Sequence, residues 1–315
     1  MVNKKGYNRI TMILAFIAIY FVWGTTYLAN LFGLESMEPF VLSSLRYLVA
    51  GLLLLTWVIG KRLIWPDLYG IKVLSVSGVL MLVGGSGLVV FAEQYINSGY
   101  AAVVVASEPF WFVLLDKKHW KFYFNNRNIL VGLFSGFSGI VLFSYFSPES
   151  GIAGTADKLV GTTILLVSAV LWVVGTLYAN KRMRTGTSNI TNSAIQLLAA
   201  GTFSALIAFC LGEWNRFTVH DISLKAWSGL IFLIFMGSMV AYMAFTWLVT
   251  IQPPAVVSTH TYVNPMVAVF IGWLIADERI VPHQIYAFVL VLGGVLLTQI
   301  ERKISLNPNQ IKEIT

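Results

Sequence analysis

The sequence predicts an all-α membrane protein of ten transmembrane helices, arranged as two inverted five-helix repeats with both termini cytoplasmic. Three observations predict it: scarcity of charge, the placement of the charges that are present, and a repeat of about 150 residues. Of 315 residues, 57% are hydrophobic and 11% charged. A soluble domain carries roughly 25% charged residues, because its surface faces water. The runs 10–34, 129–148, 159–180, 185–212 and 226–276 contain no Asp, Glu, Lys or Arg. Each is about as long as the roughly 20 residues a helix needs to cross a bilayer, and the last has room for two.

Ten candidate spans follow, near 10–31, 39–60, 70–92, 99–116, 128–147, 159–180, 188–211, 226–249, 254–276 and 283–300. At roughly 20 residues each they leave connections too short for a soluble catalytic domain. A soluble enzyme, a nucleic-acid binder and a disordered chain are excluded on composition. The first apolar run is far longer than the 7–15-residue core of a secretory signal, so it is expected to be retained as the first span.

The net charge of +7 is a matter of topology. With the amino terminus inside, sixteen Lys and Arg fall on inner segments: Lys4, Lys5, Arg9, Lys61, Arg62, Lys72, Lys117, Lys118, Lys121, Arg127, Lys181, Arg182, Arg184, Arg302, Lys303 and Lys312. Only Lys158, Arg216, Lys225 and Arg279 fall outside, and Arg46 lies within a span. That bias is the positive-inside rule. It requires no nucleic-acid partner, although the inner face favours anionic lipid. No cofactor or metal site is expected. The single cysteine, Cys210, reads as a small apolar core residue.

The second half repeats the first. Gly24-Thr25-Thr26-Tyr27 matches Gly175-Thr176-Leu177-Tyr178 at an offset of 151, and Arg46 to Gly51 matches Gln196 to Gly201 at 150. Glu108-Pro109 matches Asn264-Pro265 at 156, and Ser138 to Leu142 matches Gly293 to Leu297 at 155. Five spans per half is an odd number, so the second copy enters the membrane inverted. Inverted repeats are a design of secondary transporters, with the substrate site near the midplane between the halves.

Trp23-Gly24-Thr25-Thr26-Tyr27, Arg46-Tyr47, and Asn264 to Ala268 running on to Gly272-Trp273 and Glu278 resemble the EamA family of the drug/metabolite transporter superfamily. The resemblance covers about 10–145 and 158–300. It implies a cytoplasmic-membrane permease, often an exporter of amino acids, metabolites or drugs, with a central cavity lined from both repeats. Repeat boundaries at 10–147 and 158–300, with a cytoplasmic tail at 301–315, are expected. Glu108 departs from the family pattern, in which a Ser, Thr or Asn-like residue more usually precedes this proline.

Glu108 is the foremost candidate for transport chemistry. A carboxyl at that depth is expensive unless paired, protonated or facing a water-filled cavity. It reads as a substrate or proton site, or else as an interhelical hydrogen bond. Pro109 disturbs the helix beside it and frees a carbonyl. His260 lies in the pseudo-symmetric polar run Ser258 to Pro265 and offers either proton exchange or an interhelical contact. Asn264 is loosened by Pro265 in the same way. Arg46 stands roughly 10 Å from the outer end of its span at the helical rise. It is placed to bind a substrate carboxylate, to pair with Glu108, or to snorkel towards Glu35 or Glu38. Trp23 and, from the repeated Gly-Thr-x-Tyr, Thr25, Tyr27 and Tyr178 complete the candidate substrate set; Trp111 and Trp172 are further aromatics that either line the cavity or pack. Glu93 is expected at an interface or gate. Trp57, Trp65, Trp120, Trp214 and Trp227 fall near span ends and fit an aromatic belt. Gly84-Gly85-Ser86-Gly87 is expected to serve close helix packing rather than phosphate binding.

The expected function is secondary transport of a small metabolite, amino acid or drug-like molecule by alternating access, in the export direction, with Glu108 and His260 as proton-coupling candidates. Facilitated uptake by the same architecture is the alternative. A channel does not need an inverted repeat. An intramembrane enzyme needs a clustered constellation such as His-Glu-x-x-His or paired membrane aspartates, which the sequence lacks.

Overall fold

A computed structural model describes residues 9–96, 101, 104–146, 155–183, 186–276 and 282–300. The tail at 301–315 and the positions Lys4, Lys5, Lys312, Arg184, Glu278 and Arg279 lie outside them. The described residues are helices and turns, with no strand. In chain order the helices are α1 (Arg9–Leu34), α2 (Pro39–Gly60), α3 (Leu68–Ala92), α4 (Glu108–Leu115), α5 (Trp120–Asn125), α6 (Arg127–Phe146), α7 (Thr155–Arg182), α8 (Asn189–Cys210), α9 (Leu224–Ile251), α10 (Pro254–Val257), α11 (His260–Ala276) and α12 (Pro282–Ile300).

Six helices among the described residues are long and apolar enough to cross a membrane: α1, α2, α3, α8, α9, and α7 from Leu159 onward. Their outward faces are apolar. Leu68, Leu224, Phe209 and Phe134 all stand more than two-thirds exposed or close to it, at 85%, 87%, 75% and 67%. Such surface is incompatible with water and matched to lipid. Trp57, Trp65, Trp120 and Trp227 are exposed near helix ends, as a belt requires. Trp214 instead is part-buried, with its indole N–H donating to the Ala205 carbonyl at 3.1 Å. Cys210 corrects an expectation: it is exposed at the end of α8 rather than in the core. It continues the outward face of Leu206 and Phe209, so its apolar surroundings are the bilayer side and not the protein interior.

The two halves pack in a reciprocal pattern. α1 lies against α9 and α11, while α7 lies against α3 and α4; α2 pairs with α8, and α6 with α12. Small residues bring the backbones together. A Cβ on Gly51 would fall 2.8 Å from the Leu198 side chain, and one on Gly201 would fall 2.7 Å from the Leu48 backbone nitrogen. This mutual contact explains the repeat of Arg46 to Gly51 in Gln196 to Gly201. Without water to drive apolar association, close van der Waals contact is what holds such helices together.

Two expected spans are not continuous helices. The one expected at 99–116 has a turn at Ala106 and Ser107 before α4 begins, and the one at 254–276 has a turn at Ser258 and Thr259 between α10 and α11. The physical reason is visible in the polar hydroxyls at each break, which turn back on the chain. Ser107 Oγ donates to the Val104 carbonyl at 2.6 Å, and Thr259 Oγ1 to the Val256 carbonyl at 2.8 Å. Such bonds compete with the helical ladder. The breaks place Glu108 and His260 in equivalent positions, each the first residue of a new helix. The proline match pairs Glu108 with Asn264 instead. His260 and Asn264 are four residues apart, one turn, and so share a helix face.

Wider, π-helical turns occupy 18–22 of α1, 79–87 of α3 and 233–241 of α9. Widening displaces carbonyls from the ordinary ladder. Donors from other helices meet carbonyls in each of these stretches: Trp23 Nε1 donates to Gly237 O at 3.2 Å, Tyr47 OH to Leu82 O at 3.3 Å and Ser168 Oγ to Gly85 O at 3.2 Å. With its amide nitrogen turned towards the carbonyls, Asn264 donates to Tyr20 O at 3.1 Å and to His260 O at 2.9 Å.

At one end, the connection after α8 clamps the α1–α2 corner. Glu213 Oε2 accepts from the Phe40 and Val41 backbone N–H groups at 2.9 and 3.0 Å, capping α2. Burial holds the Glu213 carboxyl above its ordinary value, and those two N–H groups pull the other way. Arg216 pairs with Glu38 at 3.1 Å, and Lys225 with Glu35. On the connection between α4 and α6, Asp116 Oδ2 accepts from Tyr123 OH at 2.8 Å and contacts His119 Nδ1 at 2.7 Å. Burial, followed by the charge of Asp116, raises the Tyr123 phenol well above its ordinary value.

Candidate functional site

The site forms where α1, α2, α3, α7 and α9 meet. Trp23 and Arg46 from the first half face Trp172, Ser238 and Tyr242 from the second across a cavity that also touches Ser86 of α3. The Trp23 ring is the hub. Its centroid lies 5.6 Å from Trp172, 5.3 Å from Phe245 and 4.8 Å from His260. Trp172 and Phe245 are 5.2 Å apart, and Phe245 and His260 5.7 Å. These spacings and tilts are those of attractive ring pairs. The bond from Trp23 Nε1 to Gly237 O fixes the hub to the widened turn of α9. Gly237 lets the guanidinium lie close: a Cβ there would sit 3.0 Å from an Arg46 terminal nitrogen, which would have to give by a few tenths of an ångström.

Arg46 is 95% buried. Its Nε donates to Ser238 Oγ at 2.7 Å, and the guanidinium lies over the Tyr47 ring at 5.1 Å. It neither pairs with Glu108 nor snorkels: Glu35 and Glu38 are taken by Lys225 and Arg216. The repeat-related Gln196 makes the analogous reach in the other half, donating to Ser77 Oγ at 3.0 Å.

His260 donates from Nδ1 to the Val257 carbonyl at 3.1 Å, which leaves Nε2 as the other ring nitrogen. Asn264 lies one turn further along α11, tied to α1 through Tyr20. Gly24 makes that approach possible, since a Cβ there would fall 2.5 Å from Val267 and 3.0 Å from the Asn264 carbonyl.

Glu108 opens α4 and is 94% buried, with Oε2 lacking any hydrogen-bond partner. Glu93, just past α3, has both carboxyl oxygens buried and unpartnered. Tyr27 lies within electrostatic reach of both. Tyr27 of α1, Glu93 just past α3 and Glu108 of α4 thus form a second polar locus, and none of the three is among the residues that line the cavity. Thr25 and Tyr178 are not brought to the cavity. Thr25 Oγ1 donates within α1 to Phe21 O at 2.9 Å, and Tyr178 lies under the Arg182 guanidinium at 5.1 Å near the end of α7. Trp111 donates to Ser107 Oγ at 3.2 Å, bracing the break before α4.

Sequence reasoning assigned Ser86 to helix packing and did not single out Ser238, Tyr242 or Phe245. The Gly-Ser pairs at 85–86 and 237–238 were the available signal. Gly84 and Gly85 do pack tightly, their Cβ positions lying 2.8 Å from Leu171 and Trp172, while the adjoining Ser86 lines the cavity.

The EamA-like transporter family matches this chain twice, at residues 10–145 and 159–300. The chain belongs to the EamA-like transporter family. An Escherichia coli (strain K12) relative, "Uncharacterized inner membrane transporter YedA", is 30% identical over 287 residues, covering 90% of this chain and 89% of the relative. "Uncharacterized transporter YvbV" of Bacillus subtilis (strain 168) is 22% identical over 305 residues, covering 94% and 93%. A solved crystal structure superposes with a TM-score of 0.73 at 16% identity, spanning 95% of this chain and all of that one, and so shares the fold. This EamA protein is a multi-pass protein of the cytoplasmic membrane and a membrane transporter with a small-molecule substrate.

Proposed function

We propose that this EamA protein is a secondary carrier that exports a small metabolite, amino acid or drug-like molecule by alternating access. In this reading ten spans form two inverted five-helix repeats, at 10–147 and 158–300, with both termini cytoplasmic. The observation that carries it is a cavity with walls from both halves, Trp23 and Arg46 facing Trp172, Ser238 and Tyr242, inside a reciprocal packing pattern. Rocking one half against the other around a fixed site is how inverted repeats open it to each side. The turns before Glu108 and His260 are discontinuities of the kind that supply backbone to a binding site. Glu108 and His260 are the proton-coupling residues in this account; the unpartnered Oε2 supports the first and the contact of the buried imidazole with Trp23 the second. The substrate-binding candidates of this account are Trp23, Thr25, Tyr27, Arg46, Glu108, Tyr178, His260 and Asn264, of which Trp23 and Arg46 line the cavity. Transporter relatives support a non-catalytic role. Uptake through the same cycle is the second reading.

A thermal-shift screen of amino acids, nucleobases and sugars on the purified full-length protein tests for the site. At least one compound is expected to raise the melting temperature, and Trp23→Ala is expected to abolish its effect. Stabilisation that survives in Trp23→Ala would place the ligand elsewhere.

A further inference from the structure

The guanidinium of Arg46 is in excess of what the scaffold needs. Its pseudo-symmetric counterpart, Gln196, makes the same kind of cross-helix bond to a serine with a neutral amide, and Ser77 passes that bond on to the Gly175 carbonyl at 3.0 Å. A positive charge at position 46 therefore does something other than join two helices. It is buried, and among the described residues it has no acidic partner. A charge in that state is unfavourable until a counter-charge arrives.

The cavity around it selects the sign of that counter-charge. Arg46 is the one charged side chain among the described residues that line it. Trp172, which also lines it, has a buried indole N–H with no hydrogen-bond partner. The unmet groups are thus donors that lack an acceptor. Around them stand the rings of Trp23 and Tyr242, an apolar surface without charge. A cation would be drawn to aromatic faces but repelled by Arg46. A small inorganic anion would leave the rings unused.

We propose that this cavity, which in the present conformation has room for about one water at ≈ 20 Å³, widens as the halves rock to take an amphipathic monoanion: a carboxylate on Arg46 and the Trp172 N–H, with an aromatic or branched apolar body against Trp23 and Tyr242. The guanidinium fork matches a carboxylate with two parallel bonds, which an ammonium cannot do. Ser238 holds Nε of the fork at 2.7 Å, leaving its terminal nitrogens for the ligand. The proposal rests on the carrier reading and names the substrate class for the same cavity.

Isothermal titration of the purified full-length protein with three probes of one shape tests it: 3-phenylpropanoate, 3-phenylpropanamide and 3-phenylpropylamine. The acid is expected to bind at least about tenfold more tightly than the amide or the amine, in line with hydrogen bonds to charged groups. Arg46→Gln is expected to weaken the acid by about 10- to 100-fold and leave the amide unchanged, Arg46→Lys to be intermediate, and Trp172→Phe to weaken the acid by a few-fold. The comparison of acid with amide on the parent stands even if a variant fails to fold. Equal binding of amide or amine, acid binding that survives in Arg46→Gln, or no acid binding up to millimolar concentration would each overturn the anion site. Arg46-dependent acid binding without transport would support the site while contradicting the carrier reading. Transport of the amide by the parent protein as fast as the acid would overturn the site and leave the carrier reading intact.

Discussion

Gly294→Val is expected to destabilise the protein by about 3 kcal/mol or more, whereas Gly293→Ala, one residue earlier, is expected to be neutral or stabilising by up to about 1 kcal/mol. A Cβ on Gly294 would fall 2.5 Å from the Gly132 carbonyl, 2.6 Å from the Gly136 nitrogen and 3.0 Å from the Gly136 Cα. All three obstacles are backbone, so no rotamer change relieves them; α6 and α12 must separate. A Cβ on Gly293 meets nothing within 4 Å, and alanine is the better helix former. Thermal unfolding in detergent, with the monodisperse yield of each variant, distinguishes the two. A Gly294→Val protein as stable as the parent would contradict the packing of α6 on α12.

Glu108→Gln is expected to uncouple transport from the proton gradient while leaving the fold intact. Glutamine keeps the shape and removes the proton exchange. One proton per cycle across a one-unit pH gradient sustains roughly tenfold accumulation, since one unit is 1.36 kcal/mol. The variant is expected to bring that ratio to about one in proteoliposomes, with a melting temperature at or above the parent's, because a buried carboxyl with an unpartnered oxygen is replaced by a neutral amide. Normal accumulation in the variant would remove Glu108 from the coupling role.

Much of the fold was legible because the bilayer imposes simple constraints on sequence. Long charge-free runs, basic residues at their ends and the double Gly-Thr-x-Tyr marked the spans and the two repeats before any coordinate was needed. The reciprocal Gly51–Leu198 and Gly201–Leu48 contacts explain why the match of Arg46 to Gly51 with Gln196 to Gly201 could be read. What was not legible depends on backbone register. A π-helical turn needs one extra residue and has no composition of its own, so the turns at 79–87 and 233–241, which carry Ser86 and Ser238 to the cavity, left no mark beyond a Gly-Ser pair. Prolines indicated where helices are disturbed, but the breaks fall two to seven residues earlier, at 106–107 before Pro109 and 258–259 before Pro265, and change the partner of Glu108 from Asn264 to His260. Thr25 and Tyr178 show the opposite limit. They repeat in sequence, yet one is spent on its own helix and the other lies beneath Arg182, because a repeat preserves helix packing as readily as it preserves a site.

The central claim is a single site that faces one side of the membrane at a time. Counterflow tests it most directly. Proteoliposomes are loaded with the most stabilising compound of the thermal-shift screen and diluted into a trace of the same compound carrying a radiolabel, with no pH or electrical gradient. A carrier exchanges label for unlabelled molecules, so the label should rise transiently inside above its external concentration and then decay. Label that only equilibrates, with no overshoot at any loading concentration, would mean an open path through the protein and would contradict alternating access.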